Sequence, residues 1–473
     1  MSDHKNSNTF ADLNNRYSIL RDGFWYNNEK TKPFNETPLG KKKDYDMKWM
    51  AHSFWSLIPF KDYAGTHPEF FALVKGERPD ANQGSGFYHR KQLCTTSPAL
   101  ISEAAGRIGH FLKNNPGYDS IILGPNDGYG FCECSRCREL DNSKCSFTVE
   151  DINNFSVACD TPGYSALLSA RLLTFYKNVA EIVKEKFPDH IIRCPVYSIY
   201  RDGPDEWSGK LPENLELMSA RSYCHAHRLD DVSCKHNQEY LSGLKKYIKL
   251  GVKVSVYEYY WKQAWLELPF PVLRNIAPDR EVYRQYGICG FKSQIGDNCG
   301  TLGPVYETLL QVYTKGENDW EKVLTEYCSR YFAPAAEYAI KYYLLLEEHA
   351  SFFKEHYVLP GNYLNTISSF FSSGLLTELR ELAEKIQQKT ESTIFSLNGK
   401  MLYTSFLWSD KILAYLAAAR NCSNINEAEL KIQEIKMCLR DKSFKHIIEE
   451  TEYIKEVLKY EKCSRLFSGR SEI

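Results

Sequence analysis

The chain has no uncharged apolar run near the roughly 20 residues that a membrane-spanning helix needs, which excludes an ordinary helical membrane protein. It also lacks a charge excess. Fifty-nine Lys and Arg stand against 60 Asp and Glu, so the electrostatic footprint of a general nucleic-acid binder or an anionic-membrane binder is missing. No Gly-x-Gly-x-x-Gly follows a strand-like run, and no Gly-x-x-x-x-Gly-Lys-Ser/Thr occurs, which argues against dinucleotide and P-loop chemistry. The opening Met-Ser-Asp-His-Lys-Asn-Ser-Asn is polar and leads to no apolar signal core. The expected location is therefore cytoplasmic, or secreted or periplasmic if the N-terminus is truncated.

What is present is an ordinary globular composition: 473 residues, 43% apolar and 25% charged, enough for two domains or one large barrel with an appendage. Cysteine is abundant, at fifteen. Without export, a reducing compartment and free thiols are expected. Cys94, Cys194, Cys289, Cys328 and Cys438 look isolated in apolar stretches and read as small buried hydrophobes.

Residues 1–46 are polar, with the basic run Lys41-Lys42-Lys43, and read as an extension that wraps or frays. From there to residue 303, strand-like runs alternate with amphipathic stretches. The runs are Met47 to Phe54, Ser120 to Leu123, Ile191 to Tyr200, Leu215 to Ser222, Val252 to Tyr259 and Ile288 to Gln294, with weaker ones near the N-terminus and around Gly86 to Thr95. Ser97-Pro98 marks a helix start, as N-cap and first helical residue, with the helix running to about Asn114. Further helices are expected over Pro162 to Lys186, His236 to Leu250 and Pro278 to Tyr286. This alternation predicts βαβ units and a parallel sheet, and its strand count fits a (β/α)8 barrel better than an open sheet. From Pro304 strand signals vanish, so residues 304–473 are expected to form an all-α C-terminal domain behind a barrel over 47–303.

In such a barrel, chemistry sits at the C-terminal ends of the strands. Those ends deliver His52 and Trp55, then Asn126, Asp127 and Tyr129 on a Gly/Pro-framed turn, then Tyr197, then Arg221, Tyr223, His225 and His227. Tyr257-Glu258-Tyr259-Tyr260-Trp261 and Gln294 follow. Aromatic faces suit the C–H faces of a pyranose, and the polar groups suit its hydroxyls. Asp127 and Glu258, on different strands, have the character of a glycosidase carboxylate pair. Aromatic enclosure would raise the Glu258 pKa, as a general acid requires. The blander reading makes Asp127 a turn residue and pairs Glu258 with Lys253 or Lys262. Cys132-x-Cys134-x-x-Cys137, with Cys145 nearby, offers four thiols for a structural zinc, a buried thiol knot or a disulfide. In each case it would pin the loop that carries Asp127. His225 and His227 alternate and so are expected to share a face, substrate-facing or in the core.

The run Gly124-Pro-Asn-Asp-Gly-Tyr-Gly-Phe-Cys-Glu-Cys-Ser-Arg-Cys137 resembles the signature of a bacterial family catalogued as domain of unknown function 4838 and associated with glycoside hydrolase family 163. Ala51-His-Ser-Phe54, His67-Pro-Glu-Phe-Phe-Ala-Leu73, Gln92-Leu-Cys-Thr-Thr-Ser-Pro98, Phe187-Pro-Asp189, Tyr257-Glu-Tyr-Tyr260 and Gly287-Ile-Cys-Gly-Phe291 agree in order. The resemblance implies a TIM-barrel glycosidase of endo-β-N-acetylglucosaminidase type. Such an enzyme is retaining and substrate-assisted, the 2-acetamido group serving as nucleophile and no cofactor being needed. The acetamide-orienting role then falls to Asn126 or Asp127, and the general acid is Asp127 or Glu258. The expected partner is an oligosaccharide, with no nucleic acid and no membrane. The family's usual leader and N-terminal α/β domain are missing from the sequence, which leaves a cytoplasmic variant or a shortened relative. Two other readings stand beside this one: a carbohydrate-binding barrel without catalysis, and a uronate-acting hydrolase or lyase in which Arg221 meets a substrate carboxylate.

Overall fold

The structure is a computed structural model that describes residues 10–26, 31–33, 36–37, 52–80, 92–159, 161–222, 224–296, 298–357, 363–420, 425–441, 444 and 452–459. Eight strands form one sheet: β1 (Phe24–Tyr26), β2 (Thr31–Pro33), β3 (Glu36–Thr37), β4 (Ser120–Ile122), β5 (Ile191–Val196), β6 (Leu215–Arg221), β7 (Lys253–Glu258) and β8 (Gly290–Ser293). Their order is β2-β1-β8-β7-β6-β5-β4-β3. β4 to β8 are mutually parallel, the two-residue β3 lies parallel beside β4, and β1 runs antiparallel to β8.

This corrects the expected closed (β/α)8 barrel. The five longer parallel strands curl into a half-barrel whose edges, β2 and β3, do not pair with each other among the described residues. The strand expected over Met47 to Phe54 does not supply closure either. Residues 47–51 lie outside the described residues, and Phe54 opens the short helix Phe54–Leu57. The weak strand around Gly86 to Thr95 reduces, in its described part, to a single bridge between Phe71 and Leu93.

Strand alternation decides what each face holds. Successive side chains point to opposite faces of a sheet. Ile121, Leu123, Ile192, Cys194, Val196, Leu215, Leu217, Val254, Val256 and Phe291 all join the main core on the helix-covered face. Met218, Ala220 and Tyr257, of opposite parity, form a separate cluster on the concave face, with Tyr197 and Tyr259 packed against it. Deeper on that concave face the registered partners Arg193 and Glu216 make a fully buried ion pair, Nε to Oε1 2.7 Å.

Helices cover the convex face where sequence signals place them. Helix Pro98–Asn114 is capped by Ser97, whose hydroxyl accepts from the Leu100 amide. Ser169–Lys186 stops before Phe187-Pro188, and Lys235–Lys249 follows β6. Leu273–Gln285 begins five residues before Pro278, which sits inside it rather than at its start. Beyond the sheet, Trp320–Phe332, Ala336–Phe352, Ser373–Thr390, Ser396–Arg420 and Ile425–Arg440 give the expected all-α character. The periodicity predicts helices over Leu376 to Ser396 and Tyr403 to Arg420; against it, the first stops at Thr390 and the second starts early, at Ser396. Helix Cys299–Lys315 runs across the expected 303/304 join, buried for most of its length. Asn298 and Ser405 meet at 3.0 Å and the Trp408 indole donates to Leu266 O at 2.8 Å, fastening the helical part to the sheet.

Residues 10–26, read from sequence as part of an extension, supply a docked helix and β1. Arg16 reaches Glu307 through both carboxylate oxygens, at 2.6 and 2.9 Å, and Tyr17 and Gln311 donate to the same group. Burial pushes the Glu307 carboxyl up, but the bonds from Arg16, Gln311 and Tyr17 outweigh it and hold it below its ordinary value. Such a carboxyl contributes stability that is present above its unfolded pKa, about 4.3, and lost as pH falls through the folded value. Glu307→Ala is expected to cost about 1.5–3 kcal/mol at pH 7, measured by urea unfolding. The gap from wild type should narrow on acidification below pH about 4.

Candidate functional site

The C-terminal ends of the parallel strands open onto a mouth above the concave face, where ligands of such sheets bind. β4 leads into Gly124-Pro125-Asn126-Asp127-Gly128-Tyr129-Gly130. Gly128 and Gly130 take φ of 98° and 86°, in the left-handed region that favours glycine. Asn153 clamps the turn, its Oδ1 accepting from the Gly130 and Phe131 amides at 2.9 and 3.0 Å. Asp127 thereby projects outward with its side chain 71% exposed, oriented by the Gly128 amide at 3.0 Å.

His52 stands beside it, Nε2 to Oδ1 3.9 Å, which is too long for a hydrogen bond but close enough for charge coupling. The His52 Nδ1 lies 2.7 Å from Pro125 O. A carbonyl only accepts, so Nδ1 carries a proton and Nε2 is the ring nitrogen that faces Asp127. The Tyr197 ring lies 6.0 Å from His52, and Tyr197 and Tyr259 pack on the Met218, Ala220 and Tyr257 cluster. An acid, an imidazole and a run of tyrosines therefore form one continuous ridge. Trp55 is half-buried, its indole donating to His52 O at 3.2 Å. Tyr129 flanks Asp127 and meets the Tyr164 hydroxyl at 3.2 Å. Gln294, also half-buried, follows β8 with its backbone amide on Glu258 O at 2.9 Å.

Glu258 is not part of this ridge. In Tyr257-Glu258-Tyr259 the acid has the opposite parity from the rings, so its side chain leaves through the convex face. There it is fully buried, bonded to His225 Nε2 at 2.7 Å and to the Tyr283 hydroxyl, with Arg221 Nη1 at 3.5 Å. Arg221 binds Asp279 at 2.6 Å and Cys224 O at 2.8 Å. Burial pushes both Glu258 and Asp279 up, and the Arg221 charge opposes it. One guanidinium between two buried acids is a structural network with no route to a substrate.

Other expected contacts need the same correction. Arg221 and His225 are fully buried, which removes the carboxylate-binding role that a uronate-acting enzyme would give Arg221. Trp261 is fully buried under Gly296, where an added Cβ would lie 2.7 Å from the indole. Asn126 is 1% exposed: its Oδ1 accepts from the Trp55 amide at 2.9 Å, and its backbone pairs with the Gln92 carboxamide. It braces the turn rather than lining the mouth. His227 does not share a face with His225, because residues after Arg221 leave the strand. Tyr223 lies outside the described residues.

The thiol cluster holds Cys132, Cys134 and Cys137, but its fourth member is Cys94, not Cys145. Cys145 stands apart with its thiol on Gly163 O. Cys94 Sγ lies 3.7 Å from Cys134 Sγ and 3.9 Å from Cys137 Sγ, far beyond disulfide length. A tetrahedral zinc with sulfur at about 2.3 Å sets its thiolates about 3.8 Å apart, so the spacing fits a closed four-sulfur site. Bonds from Cys132 and Cys137 bring the Cys94 thiol down, while bonds to Cys132 and Cys94, with burial, push Cys137 up. The Leu73 amide donates to Cys132 Sγ, and buried Arg171 donates to the carbonyls of Cys132 and Cys137 while pairing with Asp141.

Residues 4–345 match the family described as domain of unknown function (DUF4838). The chain belongs to that family. Neither the curated proteins nor the solved structures offer a match. In this DUF4838 chain the cluster draws together residues 72–75, 92–97 and 131–137, immediately after the Asp127 turn. No helix among its described residues is long and apolar enough to cross a membrane.

Proposed function

We propose that this DUF4838 chain is a retaining, substrate-assisted glycoside hydrolase acting on a glycan that contains a 2-acetamido sugar, of endo-β-N-acetylglucosaminidase type. The observation that supports this reading is the exposed Asp127 beside His52 at the head of a tyrosine-lined concave face. Substrate-assisted hydrolysis needs one protonated acid near the leaving oxygen and one polar group orienting the acetamide, and no carboxylate nucleophile, so the withdrawal of Glu258 to the convex face is compatible with it. The acetamide oxygen attacks the anomeric carbon as the glycosidic C–O bond breaks, and the leaving oxygen takes the proton of Asp127. Water then opens the cyclic intermediate and returns a proton to Asp127. Bound sugar would cover the exposed Asp127 carboxyl and bring it to the glycosidic oxygen.

Tyr197 and Tyr259 would stack the pyranose. Tyr197→Ala is expected to raise KM about 5- to 30-fold with kcat nearly unchanged, since stacking acts on ground and transition states alike. Steady-state kinetics on a released-glycan assay reads this directly.

Asp127 without a second exposed strand-end carboxylate among the described residues also favours a second reading, a carbohydrate-binding half-barrel without turnover. A screen of N-glycans and aryl 2-acetamido-glycosides by mass spectrometry, paired with calorimetric titration of chitobiose-type sugars, separates the two. Product release supports the hydrolase, binding without product supports the second reading, and neither activity nor binding overturns both. The Cys94, Cys132, Cys134 and Cys137 group we assign to a structural zinc that holds the Asp127 loop. Cys94→Ser is expected to lower zinc content by one equivalent, measured by elemental analysis, and to lower the melting temperature.

A further inference from the structure

A second group of thiols and imidazoles lies away from the mouth, and of its members the sequence pattern singles out His227 alone. Cys224 and His227 follow β6, Cys234 caps helix Lys235–Lys249, and His356 lies beyond helix Ala336–Phe352. Their four candidate ligand atoms all lie within 4.8 Å of one another. Cys224 Sγ is 3.2 Å from His227 Nδ1 and 3.4 Å from His356 Nδ1, and Cys234 Sγ is 3.6 Å from His356 Nδ1. A tetrahedral zinc with sulfur at about 2.3 Å and nitrogen at about 2.05 Å places S and N about 3.6 Å apart, close to these spacings. Both cysteines are buried and both are free thiols.

We propose that Cys224, His227, Cys234 and His356 form a second, structural zinc site that ties the loop after β6 to the helical C-terminal part of the chain. Two thiolates with two imidazoles in tetrahedral array select zinc among the common divalent ions, and four protein ligands close the site to water. The surroundings are built to hold the ligands in place. Asn237 donates to the carbonyls of His227 and Arg228 at 3.1 and 2.9 Å, and Arg221 donates to Cys224 O at 2.8 Å. Buried Lys262 bridges Ser222 O and Tyr357 O at 2.9 and 2.6 Å, so one ammonium fixes the backbone beside Cys224 and beside His356. Such supports orient ligands in metal sites. The ligand set spans residues 224 to 356, so the ion would staple segments that are distant in sequence.

The test uses the full chain expressed with zinc supplied and weighed by native mass spectrometry, with elemental analysis of the same sample. Two zinc ions per chain are expected. His356→Ala, altering a half-buried residue, should leave one ion on a folded protein, and Cys94→Ser/Cys137→Ser should leave the other. Cobalt loaded into the Cys94→Ser/Cys137→Ser variant should give a tetrahedral visible spectrum with about half the thiolate charge-transfer intensity that cobalt gives in His356→Ala. If the four-thiol variant does not fold, the count on wild type and on His356→Ala still decides. An unchanged metal count in His356→Ala overturns the proposal. So does a wild-type chain holding no ion, or one ion that His356→Ala retains, or an intact mass short of two hydrogens with Cys224 linked to Cys234. One ion that His356→Ala loses keeps this site and overturns only the four-thiol assignment.

Discussion

Asp127→Asn is expected to lower kcat on a 2-acetamido glycan by more than about 10²-fold while leaving KM within a few-fold and the melting temperature unchanged. The thermal result follows from position. The carboxylate is 71% exposed, and its one structural partner is the Gly128 amide, which the Asn carbonyl can still serve. The kinetic result follows from chemistry, because the carboxamide cannot supply a proton to the departing oxygen. Two further signatures distinguish a lost acid from a disturbed loop. With an aryl glycoside whose leaving group needs little protonation, the defect should shrink. The alkaline limb of the pH profile of kcat/KM, which reports loss of the essential acidic proton, should vanish. His52→Ala should lower kcat far less than Asp127→Asn, since His52 stands 3.9 Å from the Asp127 carboxyl as a neighbour and not as the proton donor. Full activity of Asp127→Asn on an unactivated glycan would remove the hydrolase reading.

The elements that sequence reveals most readily are those punctuated locally. Ser97-Pro98 starts a helix and Phe187-Pro188 stops one because capping and proline sterics act within a turn. Closure of the sheet is a different kind of property. It depends on short N-terminal strands whose pairing is set by distant partners, and β1 enters antiparallel where a barrel would need a parallel strand. Cys94 shows the same limit. Spacing nominates Cys145 because it lies nearby in sequence, yet Cys94 arrives through the Phe71–Leu93 bridge, and Cys94 N bonds to Phe70 O at 2.8 Å. The second thiol–imidazole group escapes spacing rules altogether, since one ligand lies far along the chain from the rest. The placement of Glu258, expected from sequence as a catalytic acid, is overturned by a signal the sequence does carry. Once Val252 to Tyr259 is read as a strand, an acid between two tyrosines must face away from both.

That parity carries the second large expectation. Arg221→Met should destabilise the protein by about 3–5 kcal/mol at neutral pH, because it leaves the Glu258 and Asp279 carboxyls buried without their cation. Glu258→Gln should be far milder, about 1 kcal/mol, since burial already favours the neutral form there and a carboxamide can still accept from Tyr283 and bond to His225. The pH dependence follows from the direction of the shifts. Burial raises both acids above their unfolded values, and removing Arg221 takes away the positive charge that opposed it. A carboxyl raised on folding binds more protons in the native state, so its contribution is fully present below the unfolded pKa, about 4, and is lost as pH rises through the folded value. Arg221→Met should therefore be closer to wild type at pH 5 than at pH 8 in denaturant titrations. Activity supplies the other half of the test. A convex-face network can lose its charge without touching the mouth, so Glu258→Gln should keep turnover within about threefold of wild type, against the more than about 10²-fold loss expected of a missing catalytic acid. Should Glu258→Gln stay folded and yet lose turnover on the scale expected of Asp127→Asn, the acid works from the concave side and the assignment of faces is wrong.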